Sequence, residues 1–140
     1  MQTFLPYPDF AKSARCLDWK RLGKQRVEAW QILNTLRDGS KWENHPAVLM
    51  WKGYEDALIS YTIEIIVEWK ERGYNDTMLD RLLAERNTLN PEMPPWLGDD
   101  DFHSSHRANL LRKDSEHYGE FGWQEDSSLP YVWPVRKESR

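Results

Sequence analysis

The sequence predicts an all-α fold, in which three to four main helices form a single domain and an aromatic, proline-rich C-terminal segment wraps around them. Apolar side chains recur at the helical period in several long segments. A chain of 140 residues can bury a substantial core as one domain. It holds a single cysteine, so no internal disulfide framework is available and packing must supply the stability.

A first long helix is expected to begin after Asp18, whose carboxylate can accept the first free backbone N–H groups. Its pattern runs at the helical period to Leu36, and Asp38-Gly39 supplies the stop. One apolar stripe is expected to face the core, and its members are Leu22, Ala29, Trp30, Leu33 and Leu36.

The opposite face of this helix is polar, with side chains at positions i, i+3, i+4 and i+7: Arg21, Lys24, Gln25 and Glu28. Lys20 precedes this row, and Arg26 lies at the edge of the apolar stripe. Two interpretations remain open. The face is solvated and joined by i,i+4 pairs such as Lys24–Glu28, or it binds an anion and sets one carboxylate among cations for acid–base chemistry.

The longest helix is predicted to open at His45-Pro46, where the missing N–H of proline costs nothing. Its apolar positions recur at near-heptad spacing, and Arg72-Gly73 ends it. A third, leucine-rich helix follows Asp76, and both of these helices are expected to be scaffold.

A fourth helix reads FHSSHRANLLRKD and carries a dense polar group. His103 and Arg107 are i,i+4 neighbours, whereas His106, Asn109 and Lys113 share an adjacent face. Two histidines at i,i+3 can ligate a metal, but the chain has neither an HExxH string nor a partner cysteine pair. We therefore expect no metal and no cofactor, and a hydrogen-bonded structural pair and a functional pair both remain open.

The C-terminal segment is rich in rings and has too little periodicity for a helix. It holds Tyr118, Phe121, Trp123, Tyr131 and Trp133 among glycines and prolines. It either wraps the helices or presents rings for stacking, and wrapping is favoured. Residues 136–140 are expected to be a disordered tail, which leaves residues 1–135 as the helical domain.

Charge and composition limit the function classes. The net charge of −4 does not indicate nucleic-acid binding, so any such site must be a local concentration, for which residues 20–26 are the best candidate. The chain lacks an apolar run of membrane-spanning length and a signal-peptide pattern at its start. The lone cysteine fits a reducing compartment. We expect a soluble, cytoplasmic monomer without a membrane partner.

The first residue is a candidate nucleophile. Gln2 is too large for routine removal of the initiator methionine, so the free α-amine is expected to belong to Met1. An α-amine is partly unprotonated at neutral pH and can attack an electrophilic carbon. The alternative is an ordinary frayed chain end.

Three strings, in order, carry a resemblance to a known family: DWKRLGK, HPAVLMWKGY and TIEIIVEWKERGYNDT. The chain resembles the pyrimidine-dimer DNA glycosylase / endonuclease V family of small phage-type base-excision repair enzymes over most of its first 80 residues. It also resembles a divergent bacterial-type branch of the family that carries RLGKQRVEA and HSSHRANLLRK. The resemblance implies an all-α domain with three main helices around one core.

The resemblance also implies a mechanism. In the family the N-terminal amine attacks the sugar carbon and forms a Schiff base, a carboxylate on the first long helix assists, and β-elimination nicks the strand. Basic residues on that helix hold phosphates while the duplex is kinked and a base is flipped out. Alignment of DWKRLGK puts Arg21 where the family has its catalytic glutamate, with Lys20 and Lys24 at basic positions. Glu28, two turns on, is the nearest carboxylate on the same face.

The predicted catalytic residues are Met1, Glu28 and His106. The predicted DNA- and phosphate-binding residues are Lys20, Arg21, Lys24, Gln25, Arg26, His45, His103, Arg107, Asn109 and Lys113. Among them Arg21, Lys24 and Arg107 are expected to hold phosphate, Glu28 or His106 to transfer a proton, and Asn109 to read a base or orient a partner.

The leading functional prediction is a DNA glycosylase/AP lyase. It would act on damaged or modified pyrimidines in duplex DNA through an amine nucleophile and base flipping. Three alternatives remain: a nucleic-acid-binding module without catalysis, an enzyme on a small nucleotide or sugar-phosphate, and a purely structural role. The negative net charge suits the small-substrate enzyme, because a small ligand needs only a local cationic pocket.

Overall fold

The computed structural model describes residues 1–134, which form seven α-helices and one 3₁₀ helix and contain no strand, so the all-α prediction is confirmed. In chain order the elements are α1 (Phe10–Cys16), α2 (Trp19–Asp38), α3 (Pro46–Leu49), α4 (Glu55–Glu71), α5 (Leu79–Glu85), α6 (Asp100–Lys113), α7 (Ser115–Tyr118) and a 3₁₀ helix at Gly119–Phe121. Three helices are long, and short ones raise the number above the three to four predicted. The predicted tail at residues 136–140 lies outside the described residues.

Helix α4 is the centre of the core. It packs against α1, α2 and α5, and it buries side chains around most of its circumference, from Ala57 to Ile66. A helix that is apolar on nearly all sides must be covered on all sides, which explains its central position. No helix within residues 1–134 has the length and apolar character needed to cross a bilayer.

The predicted longest helix is divided in two, so that prediction is wrong. A turn over residues 50–54 separates α3 from α4. Gly53 adopts a φ of +86°, and Tyr54 follows at φ −127° and ψ 38°, which an α-helix cannot continue. The turn buries Trp51 completely, and its Nε1 donates to Thr3 Oγ1 at 3.1 Å. Trp51, in the turn between α3 and α4, therefore holds Thr3 near the start of the chain.

The cap of α2 also differs from the prediction. Asp18 occupies the N-cap position, but its carboxylate makes no hydrogen bond with the first turn. It accepts instead from the Tyr118 hydroxyl at 2.5 Å and from Arg21 Nη1 at 3.2 Å. The Tyr118 hydroxyl also accepts from the Asp18 N–H at 3.1 Å. A tertiary contact therefore replaces the local cap and joins α2 to α7.

The predicted wrap of the C-terminal segment is confirmed. The rings of Trp123, Tyr131 and Trp133 are partly buried against the core. The expectation of no helix from His117 onward is wrong over residues 117–121, which lie in α7 and the 3₁₀ helix. A helix of one turn is too short to show an apolar repeat, and it can be stabilised by its N-cap residue. Here the Asp114 side chain accepts from the His117 N–H at 3.2 Å.

Close packing of α2 on α4 yields a first prediction, at Gly23. A Cβ added there would lie 2.9 Å from two ring atoms of Trp69. The indole is held by stacking on Tyr74 (4.2 Å between ring centroids) and by an Nε1 hydrogen bond to the Asn75 carbonyl at 2.8 Å. We expect Gly23→Ala to lower the free energy of unfolding by about 1 kcal/mol, because overpacking costs about 1–3 and improved helix propensity returns about 1.

Urea unfolding measures this difference, and Gly119→Ala is the matched control. Gly119 has helical dihedrals and open space around the position of a Cβ. A Gly23→Ala protein as stable as the wild type, or more stable, would show that the indole moves away freely.

Candidate functional site

The start of the chain lies inside the domain as an extended segment, residues 2–5, which are all at most 9% exposed. Its first clamp is the Gln25 carboxamide of α2. Gln25 Nε2 donates to the Gln2 carbonyl at 2.7 Å, and its Oε1 accepts from the Phe4 N–H at 2.6 Å. This is the pattern by which a peptide group of a neighbouring strand would pair. The Gln25 side chain therefore makes the two hydrogen bonds that the backbone of a neighbouring β-strand would otherwise make.

The second clamp consists of the two histidines of α6. His106 Nδ1 accepts from the Leu5 N–H at 2.9 Å, and His103 Nδ1 lies 2.8 Å from the Leu5 carbonyl oxygen. His103 Nε2 accepts from the Gly98 N–H at 2.9 Å, so its Nδ1 must carry the proton that it donates to Leu5. Both rings therefore work as neutral tautomers, and the pair serves the backbone. No cluster of three or more possible metal ligands occurs in the described part of the chain.

Burial explains why both rings stay neutral. Burial, with a smaller contribution from the neighbouring His103, lowers the pKa of His106 to about 3. Burial also lowers the pKa of His103, although its hydrogen bond to Leu5 acts in the opposite direction. Neither ring is placed to exchange protons with a substrate near neutral pH.

A second prediction follows from the pKa of His106. Its ordinary value is 6.5 and its folded value about 3, so the unfolded chain binds more protons between those pH values. The free energy of unfolding is therefore not reduced by His106 above about pH 6.5, and it falls as the pH is lowered from 6.5 towards 3. We expect the free energy of unfolding to fall by up to about 1.4 kcal/mol per pH unit from this residue.

Urea unfolding between pH 7 and pH 5 measures the slope. His106→Asn keeps an acceptor near the Nδ1 position and removes the titration, so its slope should be smaller than that of the wild type. Equal slopes in the two proteins would contradict the assignment.

Two further contacts complete the clamp around the first residues. The Tyr61 hydroxyl has one proton to donate and lies within hydrogen-bond distance of two acceptors, the Phe4 carbonyl oxygen at 2.8 Å and Gln25 Oε1 at 2.5 Å. Glu28 Oε2 accepts from the Gln2 N–H at 3.1 Å. Glu28 thus lies beside the first peptide bond of the chain. Because the following backbone is bonded to α2, α4 and α6, Met1 leaves the core at a defined place.

Met1 leads into a cavity of about 440 Å³, which we call the amine pocket. The residues that line it are Met1, Gln2, Phe4, Lys20, Arg21, Lys24, Glu28, His45, Lys113, Tyr131 and Trp133. The lining contains four lysine or arginine side chains but one carboxylate. The pocket is therefore locally cationic although the chain as a whole carries −4.

The cations of the amine pocket are close enough to affect one another. Burial lowers the pKa of Lys113, and the charges of Arg21, Arg112 and Lys24 lower it further, while Glu28 acts against them. Glu28 is 17% exposed in its side chain, with Oε1 3.7 Å from Lys24 Nζ. Such a crowded positive site favours an anionic ligand such as a phosphate.

One wall of the pocket is aromatic. The ring centroids of His45 and Trp133 are 5.8 Å apart, and those of Trp133 and Tyr131 are 5.7 Å apart. His45 Nδ1 accepts from the Ala47 N–H at 3.0 Å, which leaves the Nε2 proton as its donor. Burial lowers the pKa of His45, and the charge of the Met1 amine lowers it further. Rings beside cations suit the stacking of a nucleobase.

A larger cavity of about 620 Å³ adjoins the amine pocket at Met1. Its charged side chains are Asp38 and Arg81, one of each sign, and its other side chains are neutral. It lacks the excess of cations, so we take the amine pocket as the candidate site.

The structure brings seven predicted site residues together in the amine pocket: Met1, Lys20, Arg21, Lys24, Glu28, His45 and Lys113. Six others do not line it: Gln25, Arg26, His103, His106, Arg107 and Asn109. The expected convergence of α2 and α6 thus occurs through Lys113 alone on the α6 side. Gln25, predicted on the polar face, is 1% exposed because its carboxamide holds the N-terminal segment.

The remaining residues outside the pocket have structural partners. Arg26 Nη1 lies 2.5 Å from the buried Asp76 carboxylate, and its guanidinium packs over Trp69. Arg107 pairs with Glu125 at 3.0 Å. Asn109 donates to backbone carbonyls of α6 and of the C-terminal segment. These contacts assign the three side chains to the fold rather than to the pocket.

Four lining residues were not among the predicted site residues: Gln2, Phe4, Tyr131 and Trp133. Tyr131 and Trp133 belong to the C-terminal rings, and the interpretation that those rings stack was the only signal for them in the sequence. Gln2 gave no signal, because its place in the pocket follows from the clamp on the residues after it.

A comparison with family models identifies the family of this chain. The model described as pyrimidine dimer DNA glycosylase matches residues 1–82, more than half of the chain. The chain belongs to the pyrimidine dimer DNA glycosylase family, and this membership supports a general function as a DNA repair glycosylase with DNA as the substrate. Neither a search of curated proteins nor one of solved structures found a match. The matched range holds the N-terminal segment and α2, whereas Lys113, Tyr131 and Trp133 lie beyond it.

Proposed function

We propose that this protein is a DNA glycosylase with AP lyase activity that uses the Met1 α-amine to attack a damaged or modified pyrimidine nucleotide. The observation that carries the proposal is the clamp on residues 2–5. Side chains of three helices hold that backbone, and the chain end they hold opens into a cationic pocket beside Glu28. A nucleophile needs such a defined position relative to its target, because small misplacements reduce rates strongly.

The chemistry begins with bond formation between the Met1 nitrogen and C1′ of the deoxyribose. The glycosidic bond from C1′ to the base breaks, and the base leaves with the electron pair and takes a proton from water. Glu28 accepts a proton from the attacking amine and delivers it to the sugar ring oxygen O4′, which opens the ring and forms a protonated Schiff base.

Strand cleavage follows from the same intermediate. Water takes a proton from C2′, and the electron pair of that bond expels the 3′-phosphate by β-elimination. Water then hydrolyses the Schiff base and restores the free amine. The cations Lys20, Arg21 and Lys24 would hold the phosphates on either side of the flipped nucleotide, and the Tyr131 and Trp133 rings would stack on its base.

The pocket volume fits this proposal. About 440 Å³ is within the range of ligand cavities and suits one extruded nucleotide. Glu28 occupies the pocket while Arg21, at the family's glutamate position, is partly engaged with Asp18 at 3.2 Å. Glu28 is therefore the carboxylate available to assist the amine. Met1 and Glu28 line the same pocket, and this shared location supports a catalytic role over a purely binding one.

Sodium borohydride trapping tests the proposal, since borohydride reduces a Schiff base to a stable adduct. The protein is incubated with a duplex that carries an abasic site, and a covalent band on a denaturing gel is expected, with mass spectrometry locating it at Met1. Salt-dependent duplex binding without a band would favour the binding module. Neither a band nor binding would favour an enzyme on a small nucleotide or sugar-phosphate.

A further inference from the structure

Arg21 is held in the amine pocket by a carboxylate that does not itself line the cavity. Arg21 Nη1 donates to Asp18 Oδ1 at 3.2 Å, and Asp18 is not among the lining residues. The side chain of Arg21 is 23% exposed, and none of its nitrogens is among the buried atoms that lack a hydrogen-bond partner within residues 1–134. A guanidinium carries five N–H donors in a planar fork. Asp18 engages one nitrogen, so donors remain that a ligand in the cavity can reach.

The Asp18 carboxylate is in turn fixed by Tyr118 of α7. The Tyr118 hydroxyl donates to Asp18 Oδ1 and accepts from the Asp18 backbone N–H at 3.1 Å. Burial alone would raise the pKa of Asp18, but the hydrogen bonds of Tyr118 and Arg21 outweigh burial and lower the pKa, so the carboxylate stays charged at neutral pH. Tyr118 is completely buried, and its ring stacks on Trp123 with 5.6 Å between the centroids. One rigidly held hydroxyl therefore fixes both the backbone and the side chain of Asp18.

This support matters because Arg21 lies among like charges. Lys20, Lys24 and Lys113 line the same cavity. Burial lowers the pKa of Lys113, and the charge of Arg21 lowers it further, so the two cations are close enough to repel each other. Repulsion and side-chain entropy both favour an arginine that turns out into water. A fixed anion behind the guanidinium opposes both effects and keeps the planar fork ready for a bidentate contact with a phosphate.

We propose that Tyr118 and Asp18 are positioning residues, which hold the Arg21 guanidinium in the amine pocket so that it binds a phosphate of the DNA strand. This inference rests on the DNA substrate of the proposed function and is independent of the amine chemistry. Asp18 and Arg21 lie within the range that the family model matches, residues 1–82, whereas Tyr118 lies beyond it. The C-terminal part of the chain thus contributes to DNA binding through a buried hydroxyl group.

Duplex affinity at several salt concentrations tests the inference. The probe is a duplex with a chemically reduced abasic site, which lacks the aldehyde and cannot form a Schiff base. Tyr118→Phe removes only the hydroxyl, and Arg21→Met removes the charge but keeps an apolar stem. Tyr7→Phe is the matched control, because the Tyr7 hydroxyl also has a partner, Trp123 Nε1 at 2.8 Å, and Tyr7 does not line the amine pocket. Urea unfolding is used to verify that each variant is folded under the conditions of the binding assay.

We expect Arg21→Met to reduce the slope of log affinity against log salt concentration by about 0.9, the value for one phosphate contact on B-DNA. We expect Tyr118→Phe to weaken binding about fivefold, the effect of roughly one hydrogen bond, and to reduce the slope as well. In the Arg21→Met background Tyr118→Phe should have no further effect on affinity, because the side chain that Tyr118 positions is absent. Tyr7→Phe should match the wild type in both affinity and slope.

An unchanged salt slope in Tyr118→Phe, or an equal loss of affinity in the two backgrounds, would overturn the inference, because Tyr118 would then support the fold alone. Wild-type affinity in Tyr118→Phe would overturn it as well. Absence of duplex binding by the wild type would overturn both the inference and the DNA substrate. Borohydride trapping on an unreduced abasic duplex, measured in parallel, tests the amine chemistry separately. The expected binding results without a trapped adduct would support this inference and overturn the proposed lyase activity.

Discussion

Placing one residue ahead of Met1 is expected to reduce the borohydride-trapped adduct at least about 100-fold. One added residue moves the amine by about 3.3–3.6 Å along an extended chain. Residues 2–5 cannot shift to compensate, because Gln25 and the two α6 histidines each bond to particular backbone groups. Displacement of a reacting group by about 1 Å can already cost about 100-fold.

The experiment uses a serine inserted between the initiator methionine and Met1, so that removal of the initiator exposes serine. A single serine added after Arg140 is the control for chain length. Urea unfolding should show the same stability in both proteins as in the wild type. A full adduct in the N-terminally extended protein, or an adduct located on Lys20, Lys24 or Lys113, would contradict the role of the α-amine.

Glu28→Gln is expected to reduce strand cleavage at an abasic site by about 10²–10⁴-fold, the usual contribution of a positioned acid–base group. Glutamine keeps the length of the side chain and an oxygen that can accept from the Gln2 N–H, so the clamp is preserved. What is lost is the ability to carry a proton between the amine and the sugar oxygen. Affinity for the duplex should hold or rise, because a negative charge leaves a cationic pocket.

Glu64→Gln is the matched control. Glu64 lies on α4 and lines a different cavity with Asp9 and Arg86, and it is not among the residues that line the amine pocket. The same carboxylate-to-amide change there should leave cleavage unaltered. If Glu28→Gln cleaved at the wild-type rate, Glu28 would be a residue that only holds the Gln2 amide, and the proton transfer would need another group.

The limits of prediction are clear in the helices. The helical spacing of apolar residues identified α2 and α4, because this spacing depends only on residues that are close together in the sequence. The same pattern predicted one continuous helix where α3 and α4 are separate. The periodicity crosses the turn, and the backbone is interrupted by the positive φ of Gly53 and by the non-helical dihedrals of Tyr54.

The polar residues show the opposite behaviour. Helical spacing placed Gln25 on an exposed charged face, and it placed His106 among possible catalytic groups. Both are buried because each meets a backbone group of the N-terminal segment, 21 and 101 residues away in sequence respectively. A spacing rule reports which side chains share a face but not what lies opposite that face.

The sequence by itself determined the all-α class, the cationic row on α2 and the family membership, because helical period and motif order are properties of neighbouring residues. Only the tertiary structure decided which polar groups form structural hydrogen bonds and which remain available for chemistry. The contacts of the clamp on residues 2–5 join positions 21 to 101 residues apart, and the approach of Lys113, Tyr131 and Trp133 to Met1 joins the two ends of the domain. Those contacts depend on the packing of α2, α4 and α6 as one core, so no local pattern contains them.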